Sequence, residues 1–371
     1  MKTRHLLVLL AVFFYSFSLL AQDETEGYEF KDVTDIKVTS VKDQQKTGTC
    51  WSFATTSFIE AELIRINKTE YDLSEMYFVR NAYINKALGY IRYHGKFNFG
   101  QGGQAHDVVS QINKYGFVTQ KVYEGNMYDP GKYNHKELDM TLKAMLDVLT
   151  TKPNIKLTPV WLDAYTSVLD TYLGELPEII EVDGKSLSPV EFTKSTGFNA
   201  DDYVEITSFT HHPFYEKVIL ELPDNWSNDP YYNVPLDELM EIMNYALKQG
   251  YTFVWDGDVG YGFSHKNNVA VVHDGDFDYK NPKTEKDITV ECRQKQFDNL
   301  TTTDDHLMHI TALAKDQNGT MYYKTKNSWG EDSNDFGGYL YMSETYMKLN
   351  TVAIMVHKNA IPMEIKEKLG L

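Results

Sequence analysis

From Cys50 onward, the run CWSFATTSFIEAELIRI places apolar side chains at Trp51, Ala54, Phe58 and Ala61. That three-and-four spacing predicts an amphipathic helix with Cys50 in its first turn. Gly48 supplies a tight turn before it, and Thr49 is the expected N-cap. A second helix is predicted over Pro159 to Leu173, where Trp161, Tyr165, Val168 and Tyr172 align. Ser188 and Glu191 form a capping box that starts another at Pro189, closed by Gly197, and a further helix spans Pro235 to Gln249 with Gly250 as its stop. Beyond Gly250 the texture changes to strand-like runs broken by glycine: TFVWDGDVGYGF, NNVAVV, HLMHITALAKD, TMYYKTKNSWG and GGYLYM. A helical first half followed by a β-rich second half predicts an α+β fold of two lobes with a cleft between them.

At the N-terminus, Lys2 and Arg4 precede an apolar run from Leu6 to Leu20 and the small residue Ala21. This predicts a signal peptide over residues 1–21, and so an exported chain, secreted or periplasmic, that starts near Gln22. The run is shorter than the ~20 residues that span a bilayer, and no later segment approaches that length, so no stable membrane association is expected once the signal is removed. The net charge of −17 argues against nucleic acid, because phosphate binding draws on clustered Lys and Arg. Two cysteines, Cys50 and Cys292, are too few for a disulfide framework and too distant in sequence to be expected to pair.

A lone cysteine is ordinarily a small buried apolar residue. The neighbours of Cys50 change that reading, because a cysteine at a helix start meets free backbone N–H groups and the positive end of the helix dipole, which favour the nucleophilic thiolate. A neutral imidazole nearby could take the thiol proton. Candidates lie in DHLMHITA (Asp305 to Ala312), a strand in which His306 and His309 point to opposite faces, so only one can face the cleft.

These residues resemble the papain-like cysteine peptidases. That family places a Gln six residues before the nucleophile and an aromatic residue after it, as Gln44 and Trp51 stand here about Cys50. The resemblance implies that the Gln44 side-chain amide and the Cys50 backbone N–H form an oxyanion hole. It assigns the base to His306, which matches the Asp-His pair at the start of the family's strand. KNSWG (Lys326 to Gly330) is similar to the family's Asn-Ser-Trp-Gly motif, in which Asn327 would orient the imidazole and Trp329 would shield that hydrogen bond from water. Gly102 and Gly103 resemble the Gly-Gly stretch that pairs with substrate backbone. Peptides are the implied substrates, and no cofactor or metal is implied.

His306 follows Cys50 by 256 positions (306 minus 50), against the ~130–150 of the papain and cathepsin pattern. Thr47 replaces the Cys that opens the papain Cys-Gly-Ser-Cys motif. Both features, and the segments GGQ, YGFV, HPFY, NVP, VWDGDVG and NSWGE, resemble the bleomycin hydrolase and aminopeptidase C branch. The branch implies a papain-like peptidase domain over 22–371: a helical lobe at 22–120 carrying the nucleophile, a large, mostly helical insertion at 121–250, and a β-rich lobe at 251–371 carrying His and Asn. It implies a homo-oligomer as well. Members of that branch extend a C-terminal arm into their own cleft. Here MEIKEKL (Met363 to Leu369) reads as a short helix after Pro362, which predicts a more open cleft, accepting blocked or internal peptide bonds as well as N-terminal ones.

Other readings are a catalytically inactive peptidase fold that binds peptides, which the filled catalytic positions oppose, and an acyltransferase using the same thioester. The acidic loop Asp274 to Glu285 spaces its carboxylates as a calcium loop would, but Tyr279 stands where the turn demands Gly. His211 and His212 read as a turn before Pro213.

Overall fold

The computed structural model describes residues 27–151, 156–182 and 184–371. The expected signal peptide, residues 1–21, lies outside them. Helix α1 (Cys50–Asn67) does start at Cys50, but it is buried continuously from Trp51 to Ile64, so the amphipathic expectation is corrected. Thr55, Thr56, Glu60 and Glu62 occupy what would have been its polar face. A sheet covers one side and helices cover the other, so the two carboxylates find partners inside: Glu60 accepts from Thr39 Oγ1 at 2.6 Å and from the Leu73 N–H at 2.8 Å, and Glu62 from Arg65 Nη2 at 2.6 Å, whereas the Thr55 and Thr56 hydroxyls are buried without one. Thr49 occupies the N-cap position without a side-chain cap, its hydroxyl being bonded to Thr47 Oγ1 at 2.6 Å instead.

Helices α2 (Glu75–Arg92), α3 (Ala105–Tyr115), α4 (Lys136–Thr151), α5 (Trp161–Leu173) and α6 (Pro189–Ser195) complete the helical half. The Ser188/Glu191 capping box forms as its spacing predicts. On α5 the buried stripe is Tyr165, Leu169 and Leu173; Val168 and Tyr172 sit at its margin.

The first three strands are short: β1 (Lys31–Asp32) ahead of α1, and the hairpin β2 (Ile180–Val182) and β3 (Lys185–Leu187) between α5 and α6. Three strands that the hydrophobic pattern did not reveal, β4 (Tyr203–Thr207), β5 (Lys217–Val218) and β6 (Tyr231–Asn233), lead into α7 (Leu236–Lys248). The β-rich half holds β7 (Phe253–Gly257), β8 (Phe263–Ser264), β9 (Val269–Ala270), α8 (Val290–Asp298), β10 (His306–Lys315), β11 (Met321–Lys326), β12 (Tyr339–Ser343), α9 (Glu344–Asn350), β13 (Thr351–His357) and α10 (Met363–Leu369). Among the described residues, one sheet runs β5-β6-β4-β13-β7-β10-β11-β12-β9-β8, with β1 added to β10.

The strands sort their side chains by alternation. Val254, Leu307 and Met355 turn toward α1 and the helical half, whereas Phe253, Trp255, Met308 and Ile310 face a second core with α7, α9 and α10. Cys50 therefore heads a helix packed against the central strands, and His306 begins the strand beside it. No helix among the described residues is long and apolar enough to cross a membrane.

Candidate active site

Cys50, partly exposed at the start of α1, has its sulfur within hydrogen-bonding reach of the backbone of Leu307, the residue after His306. Its own backbone N–H precedes the helical ladder, so the helix does not use it. His306 is buried, and its Nε2 donates to Asn327 Oδ1 at 2.8 Å, which leaves Nδ1 as the free lone pair. The Trp329 ring lies over the imidazole with centroids 5.1 Å apart, its outer edge in solvent.

Ser328, inside the KNSWG motif but given no role by it, ties the site together. Its N–H donates to Asn327 Oδ1 at 2.7 Å, and its hydroxyl donates to Gln44 Oε1 at 2.6 Å. The Gln44 backbone N–H donates to Ser328 O at 2.8 Å. Gln44 Nε2 spends one hydrogen on Thr47 O at 2.8 Å, and the second remains available. One hydrogen-bonded run thus links His306, Asn327, Ser328 and Gln44.

His265 was not legible as a site residue. Nothing in GFSHKN marks it, and it arrives through the fold: Asn327 Nδ2 donates to His265 Nδ1 at 3.3 Å, and His265 Nε2 meets Ser333 Oγ at 2.8 Å. It fixes which way the Asn327 amide points. Gln101 was missed as well. Its side chain accepts from the Gly48 N–H at 2.8 Å and its carbonyl from Trp51 Nε1 at 2.8 Å, fastening the turn before Cys50.

His309 points the other way from His306, as the strand alternation requires, into a buried polar cluster. Its Nδ1 is 2.9 Å from Ser57 Oγ, which Lys326 Nζ also reaches at 2.7 Å. Gly103 packs against Trp51, and Gly102 lies beneath the Asp224 carboxylate: a Cβ on Gly102 would fall 1.9 Å from Asp224 Oδ2.

Burial pushes the Cys50 thiol up, to about 12, opposed by the Leu307 backbone and reinforced by Asp304, Asp256 and Asp224. Burial lowers His306 to about 4 although the Asn327 bond works the other way. Both directions favour the proton on sulfur.

Among the described residues, only His211, His212 and Glu221 converge as a metal would require. Gln294 opposes that use. Its Oε1 takes the Thr210 N–H at 2.6 Å, so its Nε2 donates to His211 Nδ1 at 2.9 Å. The His211 proton is then held on Nε2, the nitrogen turned toward Glu221 at 3.3 Å. A cavity of about 1020 Å³ between α4 and α5, walled by Met140, Val148 and Trp161, includes none of the site residues.

The fold and the Cys-His-Asn set define a cysteine peptidase of papain-like architecture. The chain belongs to the Peptidase C1-like family, whose model matches residues 181–370, and the model of the Papain family cysteine protease matches residues 27–156. Aminopeptidase W of Lactobacillus delbrueckii subsp. lactis is 26% identical, over 90% of this chain and 84% of its own. Bleomycin hydrolase of Mus musculus is 24% identical, over 91% of this chain and 84% of its own. The crystal structure of PepW from Lactobacillus rhamnosis superposes with a TM-score of 0.71 at 20% identity, covering 92% of this chain and 84% of that one. These relatives place the chain in the aminopeptidase C and bleomycin hydrolase branch.

Proposed function

We propose that this chain is an exported cysteine peptidase in which Cys50 is the nucleophile, His306 the acid and base, Asn327 the residue that orients it, and Gln44 an oxyanion donor. The observation that carries the reading is the run His306, Asn327, Ser328, Gln44, which holds an imidazole and a free amide N–H in fixed relation. The Cys50 thiol gives its proton to His306 Nδ1 as sulfur bonds to the substrate carbonyl carbon. The oxyanion is received by the second Gln44 N–H and the Cys50 N–H. Collapse breaks the C–N bond, and the leaving amine takes the proton from Nδ1. Water then adds to the thioester, its proton passing to Nδ1 and on to the departing sulfur. Gly102 and Gly103 would align the peptide backbone.

The names of the aminopeptidase relatives support cleavage at the N-terminus. The position of α10 supports acceptance of blocked peptides as well. Ile365 and Leu369 are buried in the core on the α7 side of the sheet, and Lys368 pairs with Glu238 at 2.7 Å. Export rests on the residues 1–21 pattern, and mass-spectrometric mapping of a mature N-terminus near Gln22 in the exported fraction tests it. Catalysis is tested by labelling with iodoacetamide and by peptide hydrolysis. Labelling is expected at Cys50 ahead of Cys292, with loss of hydrolysis in proportion, whereas full hydrolysis after Cys50 is blocked rules the mechanism out.

A further inference from the structure

Three carboxylates crowd the nucleophile, and among the described residues no cation is hydrogen-bonded to any of them. Asp304, Asp256 and Asp224 are the charged groups that act on the Cys50 thiol. Asp256 lies on β7 opposite Leu307 of β10, is 3% exposed, and has no donor at either oxygen. Its neighbour is a second acceptor, the Asp304 carboxylate. Asp304, on the loop before β10, takes Gln104 Nε2 at 2.6 Å and stays partly open to solvent. Asp224 leans over Gly102, with Oδ1 held by Asn98 Nδ2 at 2.9 Å. The Tyr231 hydroxyl is buried without a partner in the field of Glu205, Asp256, Asp304 and Asp107. The nearby positive groups are committed elsewhere, His106 to Glu205 and Lys86 to the Gly100 carbonyl at 2.9 Å and to that of Gly102.

Two buried carboxylates that face each other are satisfied by one shared proton or by a cation rich in N–H donors. A metal is disfavoured, because among the described residues Asp224, Asp256 and Asp304 do not converge to ligand distance; an ammonium would bond the facing Asp256–Asp304 pair, with Asp224 adding its charge from farther off. An ammonium group, with three N–H donors and a positive charge, fits. It could enter by the side that Cys50, Asp304 and Asp224 leave partly open.

We propose that the recess formed by Asp224, Asp256 and Asp304 beside Cys50 binds a primary ammonium group of the peptide substrate, making these residues determinants of specificity. The proposal rests on the peptidase reading above and supplies, from the body of the chain, the negative partner that a free amine needs. The ammonium has two sources, the peptide's own N-terminus or a lysine side chain near the cut bond.

Four coumarylamides separate the sources: leucyl, acetyl-leucyl, acetyl-lysyl-leucyl and acetyl-norleucyl-leucyl. The wild-type chain is expected to favour the free amine over its acetyl form, or lysine over norleucine, by roughly ten- to a hundredfold in kcat/KM. Asp256→Asn and Asp304→Asn should each move that ratio toward one. If none of the four is cleaved, the peptidase reading falls and the recess with it. If they are cleaved with no preference for charge, or if the preference survives both substitutions, the recess alone is wrong, and the Asp256–Asp304 pair merely shares a proton. Should the buried substitutions unfold the chain, wild-type inhibition by n-butylammonium and by n-butanol decides: stronger inhibition by the cation supports the recess, and equal inhibition overturns it.

Discussion

Burial governs the two groups proposed to exchange a proton, since it raises the Cys50 thiol and lowers the His306 imidazole, and both shifts favour the uncharged pair. The helix start works the other way, but the carboxylates of Asp304, Asp256 and Asp224 oppose it. Removing one of them must therefore favour the thiolate. In Asp304→Asn the pH profile of Cys50 alkylation by iodoacetamide should move to lower pH, and a shift to higher pH would refute the electrostatic account. Cys50→Ala is expected to lose essentially all peptide hydrolysis with an unchanged melting temperature, read by calorimetry beside activity. His306→Ala should cost about a thousandfold in kcat. His309→Ala should affect stability instead, because its ring meets Ser57 on the far side of the strand. Asn327→Ala should cost roughly ten- to a hundredfold, since that residue positions the base without moving a proton. Equal losses in both histidine variants would undo the assignment of faces.

At the scale of elements, the alternation of the strands and the start of α1 were legible because period two and period three-and-a-half depend on local geometry alone. The all-round burial of α1 was not. Its polar positions look solvated in sequence, and only the packed structure brings Lys42 to Glu60, with Nζ 3.2 Å away, and to Glu75 of α2 at 2.7 Å. That lysine comes from the segment before the Cys50 turn and so fastens the stretch that carries Gln44 to α1 and α2. Lys42→Met would leave two carboxylates, 1% and 3% exposed, without their cation. A loss of about 3 kcal/mol is expected in urea unfolding. Unchanged stability would mean that Glu60 and Glu75 accept protons at no cost.

At the scale of the whole molecule, the placement of α10 bears on access to the cleft. Its Ile365 and Leu369 are buried with α7 on the face of the sheet away from α1, and the Leu371 N–H donates to Lys366 O at 3.1 Å. A chain ending at Pro362 should lose on the order of 4 kcal/mol of stability, from two exposed apolar contacts, and keep its ratio of free-amine to acetylated turnover. If truncation instead raises turnover of the acetylated peptide selectively, Leu371 reaches the cleft in solution.

The sequence by itself determined the helix that presents Cys50, the strand that carries His306, and the Asn-Ser-Trp-Gly turn, because each is a short pattern whose geometry follows from neighbouring residues. Only the tertiary structure decided which polar groups meet. Ser328 reaches Gln44 across 284 positions and Gln104 reaches Asp304 across 200, while Asp256 faces Asp304 without a donor. No local pattern encodes such encounters, because they depend on how helices and sheet stack rather than on the period of either.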